Sequence, residues 1–127
     1  IKLYIPLISY RLYLKFMTVQ INYKKSLSKK SAGNLVLFVD EKFSIFALKK
    51  HILSSEYTYV SDLIKTKNLK KKIVIFDISS KRKIILVSLK DNLKSSETEN
   101  LGAKFYDLFK ESKLTKFILN SDSLPNK

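Results

Sequence analysis

The sequence predicts a mixed α/β domain in which one sheet is flanked by helices, and three observations carry that expectation. The runs Lys72–Ile78 and Arg82–Leu89 are β-branched, apolar and of strand length, joined by the short polar Ser79-Ser80-Lys81, which reads as a hairpin or two adjacent strands. Leu35–Val39 is apolar throughout, the pattern of a central strand covered on both faces. Finally, Leu101, Phe105, Leu108 and Phe109 recur at i, i+4, i+7 and i+8, one apolar helical stripe that needs a sheet to lie on.

Taken in order, Ile1–Phe16 is rich in Tyr and Leu but interrupted by Lys2, Pro6, Arg11 and Lys15. A membrane span needs roughly 20 apolar residues, and a signal peptide needs an unbroken apolar middle and a small-residue cleavage site; neither pattern is met. The one methionine is Met17. Residues 1–16 are therefore expected to be upstream translation or a leader outside the fold, with a weak membrane-surface role as the alternative. Residues 17–123 are expected to form the domain, and 124–127 a tail or the start of a linker.

Val19–Tyr23 alternates apolar and polar, as a half-buried strand does. Lys24–Asn34 reads as loop, and Asp40-Glu41-Lys42 ends the central strand. Ser44–Leu53 is expected to be a short helix with Ile45, Leu48 and Ile52 inward. A second helix over Ser55–Lys65 places Tyr59, Val60, Leu63 and Ile64 at helical spacing, with Glu56 in its first turn. Lys65–Lys72 is a basic connector. After the hairpin, Ser96-Glu-Thr-Glu99 matches a capping box, predicting that Ser96 caps the long helix. Gly102 costs about 1 kcal/mol in a helix interior relative to Ala, which suggests that the helix backbone runs close to the sheet there. Thr115–Leu119 reads as a last strand and Asn120–Lys127 as a polar tail. The order is β, β, α, α, β, β, α, β.

At 127 residues the chain is one domain, long enough to bury about two-thirds of its unfolded surface without staples. Having no cysteine agrees with that. The formal net charge of +14 would ordinarily suggest nucleic acid or an anionic membrane. Only Arg11 and Arg82 among the 25 basic residues are arginine, however, and base readout favours the arginine fork. Abundant Lys, Ile, Asn, Phe and Tyr fit an AT-rich codon bias, so the charge is read mainly as solvated surface, an anion-binding face being the alternative.

Reactive groups are sparse. The single histidine, His51, has neither cysteine nor a carboxylate pair nearby and is expected at the surface or its boundary. The carboxylates are dispersed. Asp77 fits a solvent-facing strand position and Asp62 the polar side of its helix, which argues against a paired general acid and base. Two glycines do not make a phosphate-cradling loop. Phe43, Phe46, Tyr57 and Tyr59 interleave with lysine, inviting a single-strand stacking surface, but most fall on core periodicity. No catalytic, cofactor-binding or metal-ligating residue is assigned to this chain.

Lys83-Ile-Ile-Leu-Val-Ser-Leu-Lys90 followed by Glu97-Thr-Glu-Asn-Leu-Gly-Ala-Lys-Phe-Tyr106 resembles the amino-terminal domain of the leucyl (cytosol) aminopeptidase family. Gly33–Val39, Phe43–His51 and Tyr59–Lys65 follow in the order that family shows, and the likeness covers about Met17 to Ser123. The resemblance implies a macro-domain-like α/β unit preceding a catalytic domain that holds two divalent metal ions, zinc or manganese, and removes amino-terminal residues from peptides. It further implies a cytoplasmic homo-hexamer, with DNA binding in some relatives and no membrane. The family's Asn-Thr-Asp-Ala-Glu-Gly-Arg segment and its metal-binding lysine have no counterpart here, so no metal or catalytic residue carries over. Ser88-Leu89-Lys90 stands where many members have Gly-x-Gly, which removes the basis for a nucleotide pocket. The chain alone is thus expected to be non-catalytic, its partner being the catalytic domain of the same polypeptide. A free-standing basic nucleic-acid-binding module is the rival.

Overall fold

The computed structural model describes residues 2–6, 22–24, 33–67, 69–112 and 116–125. Six strands form one sheet: β1 (Lys2–Pro6), β2 (Asn22–Lys24), β3 (Asn34–Val39), β4 (Ile73–Ser79), β5 (Arg82–Ser88) and β6 (Lys116–Asn120). Their order is β2-β1-β6-β3-β5-β4. At its centre β6, β3 and β5 run parallel. β4 joins β5, and β1 joins β6, antiparallel. Two α-helices, α1 (Ser54–Ile64) and α2 (Ser95–Phe109), occupy the connections between β3 and β4 and between β5 and β6.

Strand alternation sends two sets of side chains to opposite faces. Leu35, Leu37 and Val39 of β3 join Val74, Phe76, Ile84, Leu86 and Ile118 under α1, where Val60 is buried, and under the 3-10 helix Phe46–Lys50 with Leu48 and the following Ile52. Val36, Ile73, Ile85, Val87 and Phe117 point the other way, toward Phe109 of α2, with Leu101 and Phe105 packed against them. The unbroken apolar run of β3 follows from having cover on both sides. Phe105, Phe109 and Phe117 anchor α2 with ring centroids 4.9–5.2 Å apart and tilted to edge-on, the geometry their quadrupoles favour.

The fold is the mixed α/β sheet with flanking helices that the hydrophobic pattern implies, and several local expectations change. Lys2–Pro6, expected outside the fold with the rest of residues 1–16, is a strand registered on β6 from Lys2↔Asn120 to Pro6↔Lys116. Of the expected strand Val19–Tyr23, residues 19–21 lie outside the described residues, and β2 covers Asn22–Lys24. Lys94, in extended conformation, precedes the first turn of α2, so Ser96 lies inside the helix and is not its cap. Glu97, in the first turn of α2, meets Lys90 Nζ at 2.5 Å. Gly102 is exposed, and a Cβ built there meets nothing within 4 Å; no close approach explains it. Leu108 is 51 % exposed. Leu101, Phe105 and Phe109, spaced at i+4, define the inward line, and Leu108 falls to its side. Tyr59 is exposed as well, while Tyr57 packs against the core.

Among the described residues, one charged pair is nearly buried. Arg82 Nε donates to Glu56 Oε2 at 2.6 Å and Arg82 Nη2 to Glu56 Oε1 at 3.2 Å. Glu56 Oε1 also accepts the Leu53 amide at 3.1 Å, satisfying a free donor at the start of α1. The fork of Arg82 therefore fastens the start of α1 to the start of β5.

Candidate functional site

In sheets with parallel strands, ligands gather beyond the carboxyl ends of those strands, where successive connections leave toward opposite faces. Here the chain leaves β3 toward the α1 face and leaves β5 toward α2. The hollow at that position, of about 540 Å³, is lined by Glu41, Ser88 and Lys90 among others, and a second cleft of about 540 Å³ opens beside the ends of β3 and β6, lined among others by Phe38, Asp40, Ser44, Phe46, His51 and Ser123.

Asp40 ends β3 and organises the loop behind it. Its Oδ1 accepts the amides of Lys42 at 3.1 Å and Ser44 at 2.9 Å, and its carbonyl accepts the Phe43 amide at 3.0 Å. Phe43 is held at φ 56°, an uncommon conformation for a bulky residue, and its ring is buried in the core. The Ser44 amide is the largest influence on the Asp40 carboxyl and holds it below the usual carboxylate range; burial, next in size, opposes it, and the Ser44 hydroxyl and Lys42 add to the lowering. Ser88 Oγ donates to the Asp40 carbonyl at 3.2 Å and the Leu89 amide to the Val39 carbonyl at 2.9 Å, tying this corner to β5.

The stretch read from the sequence as a polar tail forms the opposite wall. Ser121–Ser123 is a 3-10 turn. Ser123 Oγ donates to the Asn120 carbonyl at 2.6 Å and accepts the Phe38 amide at 2.9 Å. It thereby satisfies a β3 donor beyond the last residue that pairs with β6, Val36. Asn120, only 1 % exposed, uses Oδ1 to accept the Asp122 amide at 3.0 Å, and its Nδ2 lies 2.9 Å from His51 Nδ1. His51, expected at the surface or its boundary, is 9 % exposed and lies at the buried side of that boundary, lining the cleft. Its carbon atoms are covered while the amide of Asn120 satisfies one ring nitrogen, an arrangement a one-dimensional pattern does not reveal. The signal that was available is Asn120-Ser-Asp-Ser123, whose side chains are turn formers.

Phe46 stands 74 % exposed at the rim, and Lys49 Nζ lies 4.6 Å from its ring centroid and 5.0 Å from that of Tyr57. The interleaving of lysine and aromatics is thus real for this trio, whereas Phe43 is core. Asp77 is exposed and paired with Lys83, and Asp62 is exposed on α1.

The polar groups of the cleft are largely spent on backbone: Asp40 on two amides, Ser123 on an amide and a carbonyl, Asn120 on an amide. The Ser123 proton points at a carbonyl, not at an imidazole, so Ser123 and His51 do not form a nucleophile and base. Among the described residues no three His, Cys, Asp or Glu side chains converge as metal ligands do. Two hollows flank α2. The one that Ser88 and Lys90 line mixes Lys70, Lys72, Lys90 and Lys104 with Glu97 and Asp107. The other, of about 460 Å³, is almost wholly apolar, with Phe38, Leu89, Leu119 and Leu124 in its lining.

Comparison of the chain with family models, with curated proteins and with solved structures returns no match. The class the chain belongs to is therefore defined by its own geometry, a mixed α/β domain. No helix among the described residues is long and apolar enough to cross a membrane.

Proposed function

We propose that this chain is a non-catalytic α/β module, the amino-terminal domain of a metal-dependent leucyl-type aminopeptidase, which supports assembly and positions a carboxy-terminal catalytic domain. The observation that carries the non-catalytic part is the use of Asp40, Asn120 and Ser123 to hold backbone around the cleft. The parentage rests on the motif resemblance, and the mixed sheet with helices on both faces is compatible with it. In this reading the two divalent metal ions belong to the catalytic domain, and the full protein is a cytoplasmic homo-hexamer.

The test is to read the gene beyond the codon for Lys127 and express the entire product. A frame carrying the Asn-Thr-Asp-Ala-Glu-Gly-Arg segment, a hexamer by light scattering, and leucine-amide hydrolysis that requires manganese or zinc are the expected results. Hydrolysis by the isolated 127-residue chain would overturn the assignment.

The rival reading, a basic nucleic-acid-binding module, draws on the lysine-lined hollow beside α2, although Glu41, Glu97 and Asp107 share that hollow. Binding through several phosphate contacts falls steeply with salt. A gel shift persisting at physiological ionic strength, with a steep salt slope lost in Lys72→Glu and Lys104→Glu, would favour the rival.

A further inference from the structure

The amide of Asn120 has one orientation available in the closed cleft. Its Oδ1 is held by the Asp122 amide at 3.0 Å, which leaves Nδ2 to face His51 Nδ1 at 2.9 Å. Nδ2 is a donor, so Nδ1 must be an acceptor, and the imidazole is neutral with its proton on Nε2. Protonating the ring turns Nδ1 into a second donor. The pair then either separates or survives by rotation of the amide, which puts Nδ2 against the Asp122 amide and breaks that bond instead. Both responses loosen the Ser121–Ser123 turn, whose Ser123 Oγ holds the Phe38 amide of β3.

We propose that His51 and Asn120 form a pH-operated latch that closes the wall of the cleft when the imidazole is neutral and releases it on protonation. Among the described residues the charged groups lining this cleft are Asp40 from the β3 loop, Lys50 from the preceding 3-10 helix and Asp122 from the turn itself. The Asp40 carboxylate is turned onto its own loop amides. Lys50 opposes a positive ring and Asp122 favours one; the direction of the latch follows from the Asn120 hydrogen bond. The closed form belongs to the neutral imidazole and is lost as falling pH protonates the ring. The latch is independent of the aminopeptidase reading and holds for the isolated chain.

The experiment follows the backbone amides of the ¹⁵N-labelled 127-residue chain and the His51 ring by NMR from pH 7.5 to 5.0. The protection of the Phe38 amide, corrected for intrinsic exchange, should fall about ten-fold, the factor expected for one lost hydrogen bond, with the same midpoint as the ring signal. His51→Gln offers a non-titrating acceptor and should abolish the pH dependence. Asn120→Asp, whose carboxylate accepts from a charged ring, should reverse it. Phe38 protection that stays constant while the ring titrates overturns the latch, as does the same fall in His51→Gln. If either variant fails to fold, coincidence or separation of the two midpoints in the native chain still decides.

Discussion

The two faces of the sheet are built to different standards. Under α1 and the 3-10 helix, twelve buried residues from Leu35 to Ile118 form one continuous cluster, fastened at its margin by the Glu56–Arg82 fork. On the α2 face six buried residues gather around three phenylalanines, and a trough of about 460 Å³ runs beside the helix. A helix with its side chains is about 10 Å wide, whereas four strands at 4.8 Å spacing already span about 14 Å. One helix per face is therefore too narrow, and among the described residues only the α1 face adds a second segment. The lesson is that identical strand alternation on the two faces does not give them identical burial.

The largest expected effect tests the closed face. Leu37 has no exposed surface, so Leu37→Ala should cost about 3 kcal/mol in urea unfolding. Leu119→Ala, at the half-buried trough, should cost less than about 1 kcal/mol; equal losses would abolish the distinction between faces. Arg82→Met leaves Glu56 without its cation, with side-chain exposures of 13 % and 6 % in the native pair. A destabilisation of about 3 kcal/mol is expected, most of it recovered when Glu56 is also neutralised, which a double-mutant cycle would reveal.

On the α2 face, Phe109→Ala should cost about 3 kcal/mol by thermal or urea melting, while Leu108→Ala should stay within about 0.5 kcal/mol. Gly102→Ala is expected to stabilise by about 0.5–1 kcal/mol, because the helix gains propensity and the added methyl enters open space. A loss there would mean that α2 sits closer to the sheet than described. The smallest effect is electrostatic. Lys90 holds the Glu97 carboxyl below its usual range, and the Ser44 amide does so for Asp40. Both contributions are complete above the ordinary carboxylate range, about pH 4, and fade as pH falls through the lowered values. Denaturation midpoints from pH 6 to 2 should therefore decline less steeply in Asp40→Asn than in the native chain.

Much of the architecture was legible because periodicity is written locally. The runs Leu35–Val39, Lys72–Ile78 and Arg82–Leu89 appear as strands within a residue or two of their expected bounds, and the stripe on α2 points inward at three of its four positions. Capping and glycine logic was less secure. Ser96-x-x-Glu99 has the composition of a capping box, but the N-cap falls two residues earlier, at Lys94. The cleft was mostly invisible. His51 and Asn120 are 69 positions apart, and nothing local to either predicts their 2.9 Å contact.

The sequence by itself determined the mixed α/β class, the central place of β3 and most of the inward face of each helix, Tyr59 and Leu108 excepted, since alternation and helical spacing are properties of neighbouring residues. Tertiary structure alone decided that Lys2–Pro6 pairs with β6, that His51 is buried against Asn120, and that Ser121–Ser123 folds over the end of β3. Those outcomes depend on distant backbone and side-chain donors and acceptors needing partners once water is excluded, a requirement that exists only after the sheet has assembled.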